Sequence, residues 1–142
     1  MTKVIEIFKA NTATAQALPL YLSRIKAGFP SPADDYLDKK LDLNEHLIKH
    51  PASTFFVKVK GDSMVGAGIH SGDILVVDRS IERKDKRIVV AVVNGDFTVK
   101  RIARKGHKLS LLAENDKYAP IEINDGMDFE IWGVVMHVIH SV

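Results

Sequence analysis

The sequence predicts a mostly β protein, built from short twisted strands and preceded by a flexible N-terminal arm. Residues 87–93 form a β-branched, almost wholly apolar run that ends at Asn94-Gly95, a strong signal for a two-residue hairpin turn. A second apolar run, at residues 73–78, is bounded by turn-forming aspartates. Residues 1–33 show little periodic pattern, so we expect an arm there and a β-rich domain over residues 34–142.

The other predicted elements follow in chain order. Residues 34–50 carry leucines that roughly share one helical face, and Pro51 would stop such a helix. The remaining predicted strands alternate weakly or are bounded by turn residues, and they cover 55–59, 97–104, 108–113 and 128–139.

Composition limits the class of protein. The chain has 142 residues, of which 46% are hydrophobic, which suits one domain with an appended arm. It has no cysteine, so disulfides, thiolate metal sites and thiol nucleophiles are excluded. We find no apolar run of about 18 residues and no signal-peptide pattern, so we expect a cytoplasmic protein.

The charge distribution argues against direct nucleic-acid binding. The net charge is +2, and the basic excess lies in residues 1–27, where Lys3, Lys9, Arg24 and Lys26 face only Glu6. The rest of the chain is close to neutral, which is a poor match for a phosphate backbone.

Lys100 is the first candidate site residue. A two-residue turn at Asn94-Gly95 places Lys100 opposite Val89, on a mostly apolar face of the hairpin. It could be an edge lysine that blocks aggregation, or one whose tip reaches water. Alternatively, burial could lower its pKa and make it a general base, which would need a nucleophile beside it.

Ser63 is the matching candidate nucleophile. It follows a predicted strand and lies in a bend that contains Gly61, Gly66, Gly68 and Gly72. Backbone N–H groups in such a bend can face a developing oxyanion. A serine in a glycine-rich turn can equally be no more than a turn residue.

Other chemical motifs are absent or incomplete. Ser63 does not lie in G-x-S-x-G, and His46 and His50 lack the glutamate that a zinc-protease motif requires after its first histidine. Ordinary surface or core positions explain the histidines, and we expect neither a metal nor an organic cofactor.

Six short motifs occur in a fixed order along the chain. Their order indicates a known family more specifically than any single motif does. They are GFPSPADDYLDKKLDLN, HPASTFFVK, GDSM, SGDILVVD, GDFTVKR and WGVVMHVIH, which run from Gly28 to His140. Together with an Ala27-Gly28 bond ahead of them, they resemble the LexA/UmuD-like family of self-cleaving serine/lysine proteases.

The resemblance implies a role for each matching residue. Ser63 matches the nucleophile and Lys100 the general base, and the Ser63 backbone N–H would help to form the oxyanion hole. Ala27 and Gly28 match the two sides of the self-cleavage site. Cleavage within one chain and cleavage across a dimer both stay open.

The resemblance also implies partners. A RecA filament on single-stranded DNA would stimulate cleavage in the SOS response to DNA damage. The truncated product would form a homodimer and act as an accessory subunit of a UmuC-like error-prone DNA polymerase in translesion synthesis. Because only 27 residues precede the expected cleavage bond, we do not expect a DNA-binding repressor domain.

The sequence is also compatible with three other functions. A signal-peptidase-like enzyme also uses serine and lysine on a β-rich body, but it would need a membrane anchor. A plasmid- or phage-borne regulator could share the same protease fold. A non-catalytic β-rich binding module would make Ser63 and Lys100 incidental.

Overall fold

The computed structural model describes residues 1–12, 17–21 and 37–142. These residues form two compact units, one made of residues 1–10 with 50–142 and the other of residues 11–49. The strands are β1 (Lys3–Lys9), β2 (Ala17–Tyr21), β3 (Leu37–Asp42), β4 (Thr54–Lys60), β5 (Ile74–Asp78), β6 (Ile88–Val93), β7 (Asp96–Lys105), β8 (Lys108–Leu112), β9 (Ile121–Ile123) and β10 (Phe129–Ile139). The one α-helix among the described residues is α1 (Leu43–Leu47), and short 3₁₀ turns cover Pro51–Ser53 and Val65–Ala67.

The larger unit is an antiparallel sheet in the order β1-β4-β5-β10-β6-β7-β8-β9. Lys3 of β1 also pairs with Thr98 of β7, so six of these strands close into a barrel-like ring. The core consists of buried valines, leucines and isoleucines from the middle strands. This architecture confirms the predicted mostly β fold.

The β6–β7 hairpin has the predicted register. Val93 pairs with Asp96, Ala91 with Thr98, and Val89 with Lys100. The two-residue turn is possible because Asn94 and Gly95 both adopt positive φ, at 49° and 88°. The register turns Lys100 towards the core, where it shares a face with buried Val89.

The smaller unit differs from the sequence prediction. Residues 37–42 form β3, which pairs with β2, so the predicted helix over 34–50 is wrong there and right only for α1. Leu37 and Leu41 are four residues apart, a spacing that suits one face of a helix and also one face of a strand. Asp42 caps α1 by accepting the Asn44 N–H at 3.0 Å.

Residues 3–9, which the sequence places in an arm without pattern, form β1 of the main sheet. β1 pairs along its length with β4, from Lys3 opposite Lys60 to Lys9 opposite Phe55. Its side chains are mostly exposed, so backbone pairing holds the strand and leaves little hydrophobic pattern to read. The predicted arm boundary at residue 33 and the Ala27-Gly28 bond lie outside the described residues.

Within the part of the chain that the structure describes, no helix has the length and apolar character that crossing a membrane requires.

Candidate active site

The loop between β4 and β5 places Ser63 in the interior. Two backbone bonds close this loop at its base, from Val59 N–H to the Asp73 carbonyl at 3.1 Å and from Gly72 N–H to the Val59 carbonyl at 2.8 Å. Ser63 and the following Met64 are both fully buried. A serine that follows a strand and is held inside a closed loop is positioned by backbone geometry, which favours a fixed side-chain direction.

The structure brings Lys100 to Ser63. The Lys100 Nζ donates to Ser63 Oγ at 3.1 Å, although the two residues lie far apart in sequence. It also donates to Thr98 Oγ1 at 3.1 Å and to the Val99 carbonyl at 3.2 Å. These three acceptors match the three N–H donors of an ammonium group, so this arrangement suits the charged lysine.

Burial determines the electrostatics of Lys100. Its side chain is only 2% exposed, and desolvation lowers the pKa of the amine from 10.5 to about 8. A lysine with this pKa is neutral in about one molecule in ten at pH 7 and in most molecules at pH 9. The group can therefore serve as a base under mild conditions, which an exposed lysine cannot do.

The chain's own N-terminal residues occupy the same place. Thr2 is fully buried, and its backbone N–H donates to Ser63 Oγ at 2.7 Å. The Ser63 hydroxyl in turn donates to Thr2 Oγ1 at 2.7 Å. The Thr2 carbonyl accepts from Thr98 Oγ1 at 3.0 Å and from the Val99 N–H at 3.2 Å, so Thr2 binds as a short extended segment at the serine.

A second group of contacts anchors residue 1. The Met1 amino group donates to Tyr118 Oη at 3.0 Å, and the Tyr118 hydroxyl donates to the Asp62 carboxylate. This hydrogen bond lowers the pKa of the Asp62 carboxyl and raises the pKa of Tyr118. A Cβ on Gly61 would come within 2.3 Å of the Met1 carbonyl oxygen, so only glycine leaves room for the segment here.

Comparison with known proteins identifies the family to which the chain belongs. The model of the family described as Peptidase S24-like matches residues 19–136. The chain belongs to the Peptidase S24-like family.

Relatives of this Peptidase S24-like chain share most of its length. It is 42% identical to protein MucA of Salmonella typhimurium over 135 residues, which is 94% of this chain and 92% of that protein. It is 43% identical to protein ImpA of Escherichia coli over 130 residues, or 86% and 83% of the two chains. A LexA repressor of Shewanella denitrificans is 38% identical over 120 residues, but the match covers only 58% of the repressor.

These relatives confirm the resemblance to the LexA/UmuD-like family, and the S24 family is one of serine peptidases that cleave themselves. Of the candidate site residues, the structure brings Ser63 and Lys100 together, while Ala27 and Gly28 lie outside the described residues. Sequence reasoning missed Thr2, because its place depends on strand β1 pairing with distant strands and no local pattern marks it.

Proposed function

We propose that this Peptidase S24-like chain is a self-cleaving serine peptidase of the SOS response, with Ser63 as nucleophile and Lys100 as general base. The observation that carries the proposal is the buried contact between Lys100 Nζ and Ser63 Oγ at 3.1 Å, together with the pKa of about 8 that burial gives the lysine. The proposed self-cleavage site is the Ala27-Gly28 bond.

The proposed chemistry needs one base and one nucleophile. Neutral Lys100 takes the hydroxyl proton of Ser63 while Oγ attacks the carbonyl carbon of Ala27. The tetrahedral oxyanion forms beside the Ser63 backbone N–H and then collapses. Lys100 returns its proton to the leaving amino group of Gly28, which leaves Ala27 esterified to Ser63.

Water completes the reaction in a second step. Lys100 takes a proton from water as the water oxygen attacks the ester carbonyl. Collapse of this second intermediate releases residues 1–27 with a free carboxylate, and Ser63 recovers its proton from Lys100. The two half-reactions use the same pair of side chains and require neither metal nor cofactor.

The proposed output is the shortened chain. The LexA/UmuD-like relatives support a cytoplasmic role in which a RecA filament on single-stranded DNA stimulates cleavage. The product then forms a homodimer that serves a UmuC-like error-prone DNA polymerase. Strand β1 precedes Gly28, so cleavage would break the covalent link that keeps β1 beside the edge of β4 with which it pairs.

The test is intact mass spectrometry after incubation at about pH 10, where most Lys100 amines are neutral. We expect wild type to yield a product that begins at Gly28. Ser63→Ala and Lys100→Ala should remain intact, while Lys108→Ala, which changes an exposed lysine, should cleave like wild type.

Two results would contradict the proposal. Cleavage of Lys100→Ala at the wild-type rate would remove the lysine from the mechanism. A folded wild-type chain that stays intact at high pH and also with RecA filaments would favour a non-catalytic binding module.

A further inference from the structure

Two histidines and an aspartate meet at the end of the main sheet. They are His70 and Asp73, in the loop that leads into β5, and His140, which follows β10. Each offers one ligand atom, and these atoms all lie within 4.8 Å of one another. From this cluster we infer a site for a divalent transition-metal ion of the zinc type.

The backbone fixes all three residues. Asp73 Oδ2 accepts the His70 N–H at 2.7 Å, and the Asp73 N–H donates to the His70 carbonyl at 3.1 Å. His140 is the next residue after Ile139, which pairs with Ile74, so strand register carries His140 opposite Asp73. The geometry thus comes from a turn and a strand pair, both of which are rigid elements.

The distances fit a bound ion after small side-chain rotations. His140 Nδ1 is 2.6 Å from Asp73 Oδ1, and His70 Nδ1 is 3.9 Å from Asp73 Oδ2. Zinc ligands at about 2.0–2.2 Å in a tetrahedral arrangement lie roughly 3.3–3.6 Å from each other, between these two values. The histidine side chains are about half exposed, at 50% and 46%, so an ion can enter from solvent.

The donor set selects the class of metal. Two imidazoles and one carboxylate suit zinc, cobalt, nickel or copper, whereas magnesium and calcium prefer oxygen ligands throughout. Asp73 is buried, with its side chain 2% exposed, and the His70 N–H orients its carboxylate. Such an outer contact is typical of metal-binding carboxylates. Solvent would fill the remaining coordination positions.

Titration calorimetry of the full-length Ser63→Ala protein with zinc chloride tests the site, because this variant prevents self-cleavage. We expect one zinc per chain, and at least tenfold weaker binding in His70→Ala and in His140→Gln. The glutamine retains a hydrogen-bond donor near Asp73 but is a poor zinc ligand. His107→Ala, which changes an exposed histidine elsewhere, is the matched control. Cobalt should give a visible absorption spectrum that disappears in His140→Gln.

Equal zinc affinity of the Ser63→Ala protein with and without His140→Gln would overturn the inference. So would a site that takes magnesium as tightly as zinc, or an absence of zinc binding in the folded protein.

A separate observation concerns the N-terminal segment and rests on the proposed function. We propose that residues 1–9 act as an internal competitor that must leave before the cleavage segment can bind. Thr2 holds the Ser63 hydroxyl through two hydrogen bonds of 2.7 Å, and β1 fixes Thr2 by pairing with β4 and β7.

The bound segment does not present its own peptide bond for attack. The Thr2 N–H points at Ser63 Oγ, which places that oxygen near the plane of the Met1-Thr2 peptide. Nucleophilic attack instead requires approach above the carbonyl carbon. In addition, the Ser63 proton is donated to Thr2 Oγ1, away from Lys100. The arrangement is therefore a resting one.

A reversible cross-link tests the competitor. Glu6 of β1 pairs with Lys58 of β4, and the chain contains no cysteine, so Glu6→Cys with Lys58→Cys forms a single engineered disulfide. We expect oxidised protein at pH 10 to self-cleave at least tenfold more slowly than the same protein after reduction. The control pair is Lys105→Cys with Lys108→Cys, which joins paired residues at the β7–β8 turn.

The outcomes distinguish the proposed competitor from the proposed peptidase function. Equal cleavage of oxidised and reduced protein would overturn the competitor and leave the peptidase intact. Failure of the reduced form and of wild type to cleave would instead overturn the proposed function. Slower cleavage of the oxidised control pair as well would attribute the effect to cross-linking in general and contradict the competitor.

Discussion

The loop from Gly61 to Asp73 contributes residues to two polar clusters that differ in solvent access. At one cluster Ser63, Lys100 and Thr2 are almost completely buried. At the other, Asp73 is buried but His70 and His140 are about half exposed. The comparison shows how burial affects chemistry: desolvation lowers the pKa of the Lys100 amine, whereas partial exposure leaves the two imidazoles open to solvent.

The largest expected effect tests the buried cluster through its pH dependence. The pKa of Lys100 is about 8 in the folded protein and 10.5 as its ordinary value. Between these values the unfolded chain binds more protons, so stability rises with pH. We expect the free energy of unfolding to gain up to about 3 kcal/mol over this range, relative to a chain without the amine.

The measurement is urea unfolding between pH 7 and 10.5 of Ser63→Ala and of Ser63→Ala with Lys100→Met. The difference in the free energy of unfolding between the two proteins should be constant below pH 8. Above that pH the protein that retains Lys100 should become the more stable of the two, relative to its stability at lower pH. Lys108→Met in the same background, at an exposed ion pair with Glu122, should give a flat difference. A flat difference for Lys100→Met would show that the amine is not desolvated.

A smaller effect is expected at Gly66, in the loop between the clusters. Its N–H donates to the Glu114 carbonyl at 2.8 Å, and a Cβ there would lie 2.6 Å from the same oxygen. The atom in the way is a backbone oxygen, which cannot move aside as the end of a flexible side chain can. We expect Gly66→Ala to lower the free energy of unfolding by about 2 kcal/mol.

Gly126→Ala is the control for that substitution, because its Cβ would meet only Asn124 Oδ1 at 3.4 Å. Chemical denaturation of both variants compares them directly. If both change stability equally, the close approach of the Gly66 loop to Glu114 is not a constraint.

The smallest expected effect is at the half-exposed cluster without metal. His140→Ala removes the hydrogen bond between His140 Nδ1 and Asp73 Oδ1, but solvent can replace the lost partner. We expect a loss of about 1 kcal/mol in the free energy of unfolding at pH 7. Thermal and urea unfolding in the presence of a chelator measure this loss. The control, His107→Ala, should show no loss. If His140→Ala is as stable as that control, the hydrogen bond to Asp73 contributes nothing to stability.

Much of the fold could be predicted because its signals are local. The Asn94-Gly95 turn fixes the β6–β7 register, and the register alone turns Lys100 inward. The placement of β1 and the pairing of β2 with β3 could not be predicted in this way. Strand β1 is mostly exposed and held by backbone bonds, so it carries no hydrophobic period, and the Leu37–Leu41 spacing suits both a helix and a strand.

The sequence by itself determined the β-rich class, the hairpin that carries Lys100, the glycine-rich loop that carries Ser63, and the family. Only the tertiary structure decided that Lys100 Nζ lies 3.1 Å from Ser63 Oγ, that Thr2 binds the same hydroxyl, and that His70 and His140 meet at Asp73. The physical reason is the sequence separation over which each interaction acts. Turn chemistry and strand period act over a few neighbouring residues, whereas these contacts join residues that only the closed sheet brings together.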